Sequence, residues 1–178
     1  MILLPARLEG VLRLVPMTGA VADIGSGHGG LALALAARGQ RVVATERTPR
    51  TVAGLAGEIA RRLEAIGSDG GPPRLGGATL ATPTVRMGEG LTPLAAGEVA
   101  TVVIAGMGAR SIARILDSAA WLPRWLVLQP IQEPELVAAW IESKGWPFTV
   151  TETRQGRRTY RAWRIEVPAA VRRAQAAA

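Results

Sequence analysis

The chain reads as a doubly wound α/β fold, a mostly parallel sheet with helices on both faces that closes with an antiparallel C-terminal β-hairpin. Three observations predict this. Apolar strand-like runs alternate with stretches of helical period from Val21 to about Ser143. A glycine-rich turn, Gly25-Ser26-Gly27-His28-Gly29-Gly30, follows the first run directly. The last two runs, about Thr149 to Thr153 and Thr159 to Val167, are separated by little more than Gln155-Gly156, as in a hairpin. With 178 residues and 48% hydrophobic content the chain can bury one substantial core, so a single domain spanning residues 1–178 is expected.

The elements follow in order. Leu8, Val11, Leu12 and Val15 recur at helical spacing before Pro16, which predicts a short N-terminal helix. The first strand falls near residues 20–24 and its helix near Gly29 to Arg38; Gln40 to Thr45 is the second strand. Thr48 and Pro49 form an N-cap and first-turn pair for a helix whose apolar face is Val52, Leu55, Ile59, Leu63 and Ile66, ending at Gly67. Gly67 to Pro83, rich in Gly, Pro, Ser and Thr, reads as a surface loop. Thr84 to Met87 is a third strand, and the β-branched run Val99 to Ala105 a fourth, of the kind buried on both faces. Ser111 caps the next helix, Trp125 to Leu128 is a fifth strand, and Pro134 to Ser143, stopped by Gly145, is the last helix before the hairpin.

Composition removes several function classes. The apolar N-terminal segment is interrupted by Arg7, Glu9 and Arg13 and lacks a small-residue cleavage pattern, so a signal peptide is not expected. No apolar run approaches membrane-spanning length. Zero cysteines and one histidine leave no thiolate site and little for a transition metal, which fits a cytoplasmic protein without a metal. The net charge of +7 favours an anionic partner such as nucleic acid, although arginine usage also follows genome composition. Arg154, Arg157, Arg158, Arg161, Arg164, Arg172 and Arg173 crowd the C-terminal segment, with Glu166 as the only acid among them, and would suit sequence-blind phosphate contacts.

In a doubly wound sheet the ligand sits at the carboxyl ends of the strands. The unusual residues fall there: Asp23 to Gly29, Glu46 and Arg47, Gly88-Glu89-Gly90-Leu91, Gly106-Met107-Gly108, and Gln129-Pro130. Gly25, Gly27 and Gly30 also satisfy a dinucleotide fingerprint, with Glu46 at the spacing of a ribose-binding acid. Asp23 argues against a pyrophosphate, which an anion so close would repel, and for S-adenosylmethionine (SAM), which has no phosphate and carries a sulfonium and an ammonium. A nucleotide site and a purely structural strand-turn-helix are the alternatives. Glu46 could accept from both ribose hydroxyls, Glu89 could order the loop at the adenine, and the Gly-Met-Gly segment could make room for the sulfonium and an incoming base.

The sequences Val21-Ala22-Asp23-Ile24-Gly25-Ser26 with His28, Gly88-Glu89-Gly90-Leu91, Val103-Ile104-Ala105-Gly106-Met107-Gly108, Leu126-Val127-Leu128-Gln129-Pro130 and Tyr160 resemble the bacterial tRNA adenine N1-methyltransferases of the TrmK family, in order and over nearly the whole chain. The resemblance implies a Rossmann-like class I methyltransferase fold, SAM as donor, and N1 of adenine 22 in the tRNA D-arm as acceptor. It places cofactor contacts on Asp23, Gly25, Ser26, Gly27, Glu46, Arg47, Gly88, Glu89, Gly90, Leu91, Ala105, Gly106 and Met107. Substrate contacts fall on Arg7, His28, Gly108, Gln129, Pro130, Arg157, Arg158 and Tyr160, with Asp23, His28 and Gln129 as candidates for the chemistry. Family members carry Asp at the position of Gly27, Asp at Glu89 and Gly at Ala109, and a C-terminal helical extension that this chain is expected to lack. A SAM- and RNA-binding module without turnover and a small-molecule methyltransferase are the competing functions.

Overall fold

The computed structural model describes residues 2–67, 72–75 and 78–176. Nine strands and six helices alternate in it: α1 Ala6–Leu14, β1 Val21–Ile24, α2 Gly30–Ala37, β2 Val42–Glu46, α3 Pro49–Ile66, β3 Arg74–Leu75, β4 Ala78–Thr79, β5 Thr84–Met87, β6 Thr101–Gly108, α4 Ala109–Asp117, β7 Trp125–Gln132, α5 Pro134–Lys144, β8 Phe148–Gln155, β9 Arg158–Glu166 and α6 Ala169–Ala176. Seven of the strands form one sheet in the order β5-β2-β1-β6-β7-β9-β8. β5, β2, β1, β6 and β7 are parallel, whereas β9 and β8 run antiparallel at one edge. The chain order therefore reverses between β1 and β6, which makes the crevice above their carboxyl ends the natural ligand site.

Alternation along the strands separates two cores. Ala22, Ile24, Val102, Ile104, Leu126, Leu128, Trp163 and Ile165 pack under α4 and α5, while Val21, Val42, Ala44, Val103, Val127 and Ala162 pack under α1, α2 and α3. The central strands are covered on both faces, which is why their sequences are continuously apolar. α3 carries the expected start: the Thr48 side chain accepts from the Thr51 N–H while the Thr51 hydroxyl accepts from the Thr48 N–H, and Pro49 occupies the first turn.

Six expectations need correction. The segment Gly67 to Pro83 holds β3 and β4, paired antiparallel, although residues 68–71 and 76–77 of it lie outside the described residues. Gly106-Met107-Gly108 is not a turn after the fourth strand; β6 runs through it with irregular register against β7, because backbone pairing continues where side chains are small. Gln129-Pro130 likewise lies within β7 rather than after it. Ser111 sits inside the first turn of α4, whose N-cap is Gly108. The basic tail is α6, which packs Val171 against the core and offers the Gln175 amide oxygen to the Leu122 N–H at 2.9 Å. The hairpin itself turns at Gly156 and Arg157, one residue later than expected.

Candidate active site

Two chambers open at the carboxyl ends of the parallel strands. The first, about 600 Å³ including its open mouth, is lined by Ile24, Gly25, Thr45, Glu46, Arg47, Gly88, Glu89, Gly90, Met107, Ser111, Arg114 and Ile115. The second, about 830 Å³ on the same measure, is lined by residues 3–5, Arg7, Leu8, Asp23, Gly25, Ser26, Gly27, His28, Gly30, Leu31, Arg62, Ala105 and Gly106. They meet at Gly25, which has φ +68 and would, with a Cβ, overlap the Met107 Cε. The left-handed backbone at residue 25 is what favours glycine there, since the Met107 methyl is the free end of a flexible side chain and could move aside.

The glycine loop is held by carboxylates at both ends. The Glu46 Oε1 accepts from the Gly27 N–H at 2.7 Å, and the Ser26 hydroxyl donates to Asp23 Oδ2 at 2.5 Å. Asp23 is buried, and its removal from water raises its pKa to about 6, an effect opposed by the Ser26 hydrogen bond and reinforced by the nearby Glu46 charge. Among the described residues neither carboxylate has a cationic partner within ion-pair distance. Among the described residues the Thr45 hydroxyl, buried in the lining of the first chamber, has no hydrogen-bond partner. The site therefore holds two carboxylates without a direct cationic partner and one unsatisfied hydroxyl.

The far wall of the first chamber is fixed by a cluster outside it. Arg86 grips Glu98 through two bonds of 2.6 and 2.8 Å and also donates to the Pro93 carbonyl, and the Ala95 N–H donates to Glu98. The Arg86 guanidinium holds the Glu98 carboxyl down at about 2. This staples the Gly88-to-Glu98 loop to β5 and so places Glu89, which meets Arg114 at 3.3 Å across the chamber.

Of the residues named from sequence, Asp23, Gly25, Ser26, Gly27, His28, Glu46, Arg47, Gly88, Glu89, Gly90, Ala105, Gly106, Met107 and Arg7 converge on the two chambers. Leu91 does not: it is buried in the core beneath the loop. Gly108 caps α4, Pro130 is buried in β7, and Gln129 is fully buried, with its amide oxygen on Arg7. Tyr160 pairs with Thr153 on the half of the hairpin that α1 covers, while Arg157 and Arg158 are exposed at its tip. The arginine strip is divided. Arg161 is bonded to Glu152 at 2.8 Å, Arg164 stacks on Trp125, and Arg172 donates to the Val167 carbonyl. Sequence reasoning missed Ser111, Arg114 and Ile115, although their spacing sets them on one face of α4 and marks them as a group. It also missed the lining by residues 3–5, which carries no chemical motif.

Comparison with known proteins fits this geometry. A family model described as a methyltransferase domain matches residues 78–161. The ribosomal RNA small subunit methyltransferase A of Anaeromyxobacter dehalogenans is 34% identical over 148 residues, covering 79% of this chain, and this chain spans about half (49%) of that protein's length. Among solved structures, the Bacillus subtilis m1A22 tRNA methyltransferase TrmK superimposes with a TM-score of 0.73 at 22% identity, over 94% of this chain and 68% of that one. A candidate tRNA (m1A22) methyltransferase of Streptococcus pneumoniae, solved with S-adenosyl-L-methionine, gives 0.73 at 24% identity, over 96% and 78%. The chain has a Rossmann-like methyltransferase fold. Among the described residues no helix is long and apolar enough to cross a membrane.

Proposed function

We propose that this chain is a SAM-dependent methyltransferase that transfers a methyl group to N1 of an adenine in tRNA, as a cytoplasmic enzyme. The observation that carries the reading is the pair of uncompensated carboxylates, Asp23 and Glu46, at the two ends of the Gly25 loop. A dinucleotide phosphate would meet repulsion there, whereas a sulfonium-bearing cofactor supplies the missing positive charge. Glu46, with one oxygen spent on Gly27, would hold the ribose; Ile24, Ile115 and Met107 give the apolar faces that an adenine requires, with Glu89 at its edge. The second chamber would receive the amino-acid tail beside Asp23 and, at its mouth, the acceptor base near His28.

When bound, SAM supplies an electrophilic methyl group whose in-line transfer to the N1 lone pair leaves a neutral thioether and a cationic adenine. The chain contributes position by holding both partners against Gly106 and Met107, and negative potential by placing Asp23 in the chamber where the new cation forms until the exocyclic amine releases a proton. Arg157 and Arg158, exposed at the hairpin tip and in no ion pair among the described residues, give the RNA backbone two cations. The test is transfer of labelled methyl from SAM to unmodified tRNA with nucleoside mass spectrometry: 1-methyladenosine supports the reading. Gly27, where the TrmK pattern has Asp, favours one other reading, a SAM- and RNA-binding module. Bound SAM without transfer to any RNA would establish it instead.

A further inference from the structure

Gln129 is fully buried and belongs to the lining of neither chamber. Its amide is nonetheless fixed at both ends: Nε2 donates to the Pro130 carbonyl at 2.6 Å, and Oε1 accepts from Arg7 Nη1 at 3.0 Å. Turning the amide over would set NH₂ against guanidinium and oxygen against oxygen, so a single orientation is allowed. The Arg7 main chain is held from the other side, its N–H donating to the Gln155 side-chain oxygen at 3.2 Å.

Arg7 lines the second chamber, as Asp23 does, with Nη1 3.5 Å from where a Cβ on Gly106 would stand. A guanidinium has five N–H donors in a rigid fork. Among the described residues the bond to Gln129 is the one hydrogen bond this side chain makes, and no carboxylate lies within ion-pair distance of it. The choice of an amide is informative. A carboxylate in its place would orient Arg7 equally well but neutralise it, whereas a neutral acceptor spares the charge and most of the donors.

We infer that Gln129 is a positioning residue that holds the Arg7 guanidinium ready for an anionic oxygen of a ligand in the second chamber, either the α-carboxylate of the cofactor's amino-acid tail or an RNA phosphate. The inference rests on the cofactor reading above. Fixing a long side chain before the ligand arrives removes the entropy cost of ordering it on binding.

The test compares the parent chain with Gln129→Met, Gln129→Glu and Arg7→Lys in calorimetric titrations of S-adenosylhomocysteine and of 5′-methylthioadenosine, which lacks the amino-acid tail. tRNA binding over a salt series forms the third arm. Each variant is expected to bind S-adenosylhomocysteine about tenfold more weakly with methylthioadenosine unchanged if the carboxylate is the ligand. If the phosphate is the ligand, the homocysteine adduct is unchanged and tRNA affinity and its salt slope fall instead. Arg7→Lys leaves Gln129 and the core intact, so its result stands even if a Gln129 variant fails to fold. Parental affinities in Gln129→Met and Arg7→Lys for all three ligands, or parallel losses for both adenosines and tRNA together with a lowered melting temperature, would overturn the inference. A parent that binds neither adenosine contradicts the cofactor reading itself and leaves the tRNA arm to decide on Gln129.

Discussion

The two chambers share Gly25 and are built on different plans. The first is made of strand ends and the loops that leave them, with the Glu46 carboxylate held by the Gly27 N–H and Glu89 met by Arg114 from α4 as a loose counter-charge. The second is closed by a separate element, the residues leading into α1, and sets one carboxylate, Asp23, against a preset cation, Arg7. On the proposed reading, a first chamber with carboxylates at its rim and apolar walls suits the hydroxyl-rich nucleoside of SAM, and a second with both Asp23 and Arg7 in its lining suits a tail that carries both charges. On the proposed reading, the strand-end loops build the nucleoside end and the N-terminal segment completes the reacting end.

The sharpest way to break the contrast is Glu46→Ala. It removes the proposed ribose acceptor and the anchor of the Gly27 N–H together, and SAM affinity measured by calorimetry is expected to fall by about two orders of magnitude. Asp23→Asn separates binding from stability. A folded-state pKa raised from 3.8 to about 6 means that Asp23 favours the fold below pH 3.8 and that this contribution is lost as pH rises through 6. Asp23→Asn is therefore expected to melt at a higher temperature than the parent at neutral pH, by up to about 3 kcal/mol in stability, while binding SAM more weakly. A parent that is the more stable of the two at neutral pH would show that the buried carboxylate is compensated.

Gly27→Asp probes the second chamber from its rim. A Cβ at this position meets no described atom within 4 Å, so the costs are φ +60, about 1 kcal/mol and least for Asp and Asn, and repulsion from the Glu46 carboxylate on the same loop. Methyl transfer is expected to rise if a carboxylate there assists loss of the adenine proton, and no change would show that Asp23 suffices. The smallest effects belong to the hairpin. Arg158→Ala is expected to lower the salt slope of tRNA binding by about one, and Arg161→Ala, which breaks an existing pair with Glu152, to leave it as it is.

Most of the first chamber was legible in the sequence because its residues lie next to strand ends, and strand ends follow from apolar runs bounded by glycine. The second chamber was legible only in its loop half. Residues 3–5 and the Gln129 bond to Arg7 depend on how α1 crosses the sheet, a long-range packing that no local pattern encodes. The arginine strip illustrates the converse. Seven cations in sequence suggest one surface, yet the two-residue period of β9 and the cross-strand acid Glu152 divide them, and only register reveals that. The extension of β6 and β7 through Gly108 and Gln132 was hidden because glycine and proline read as breakers where pairing with a neighbour overrides them.

Selection of a cationic cofactor by the buried Asp23 is decided by titrating SAM into the protein from about pH 5 to pH 8. A bound cation favours ionised Asp23, whose pKa in the free protein is about 6, so binding at low pH must also release a proton. The account predicts that affinity falls by up to about tenfold for each unit below pH 6, levels off above it, and loses this dependence in Asp23→Asn. An affinity independent of pH across that range, with SAM bound in the cleft, would contradict it.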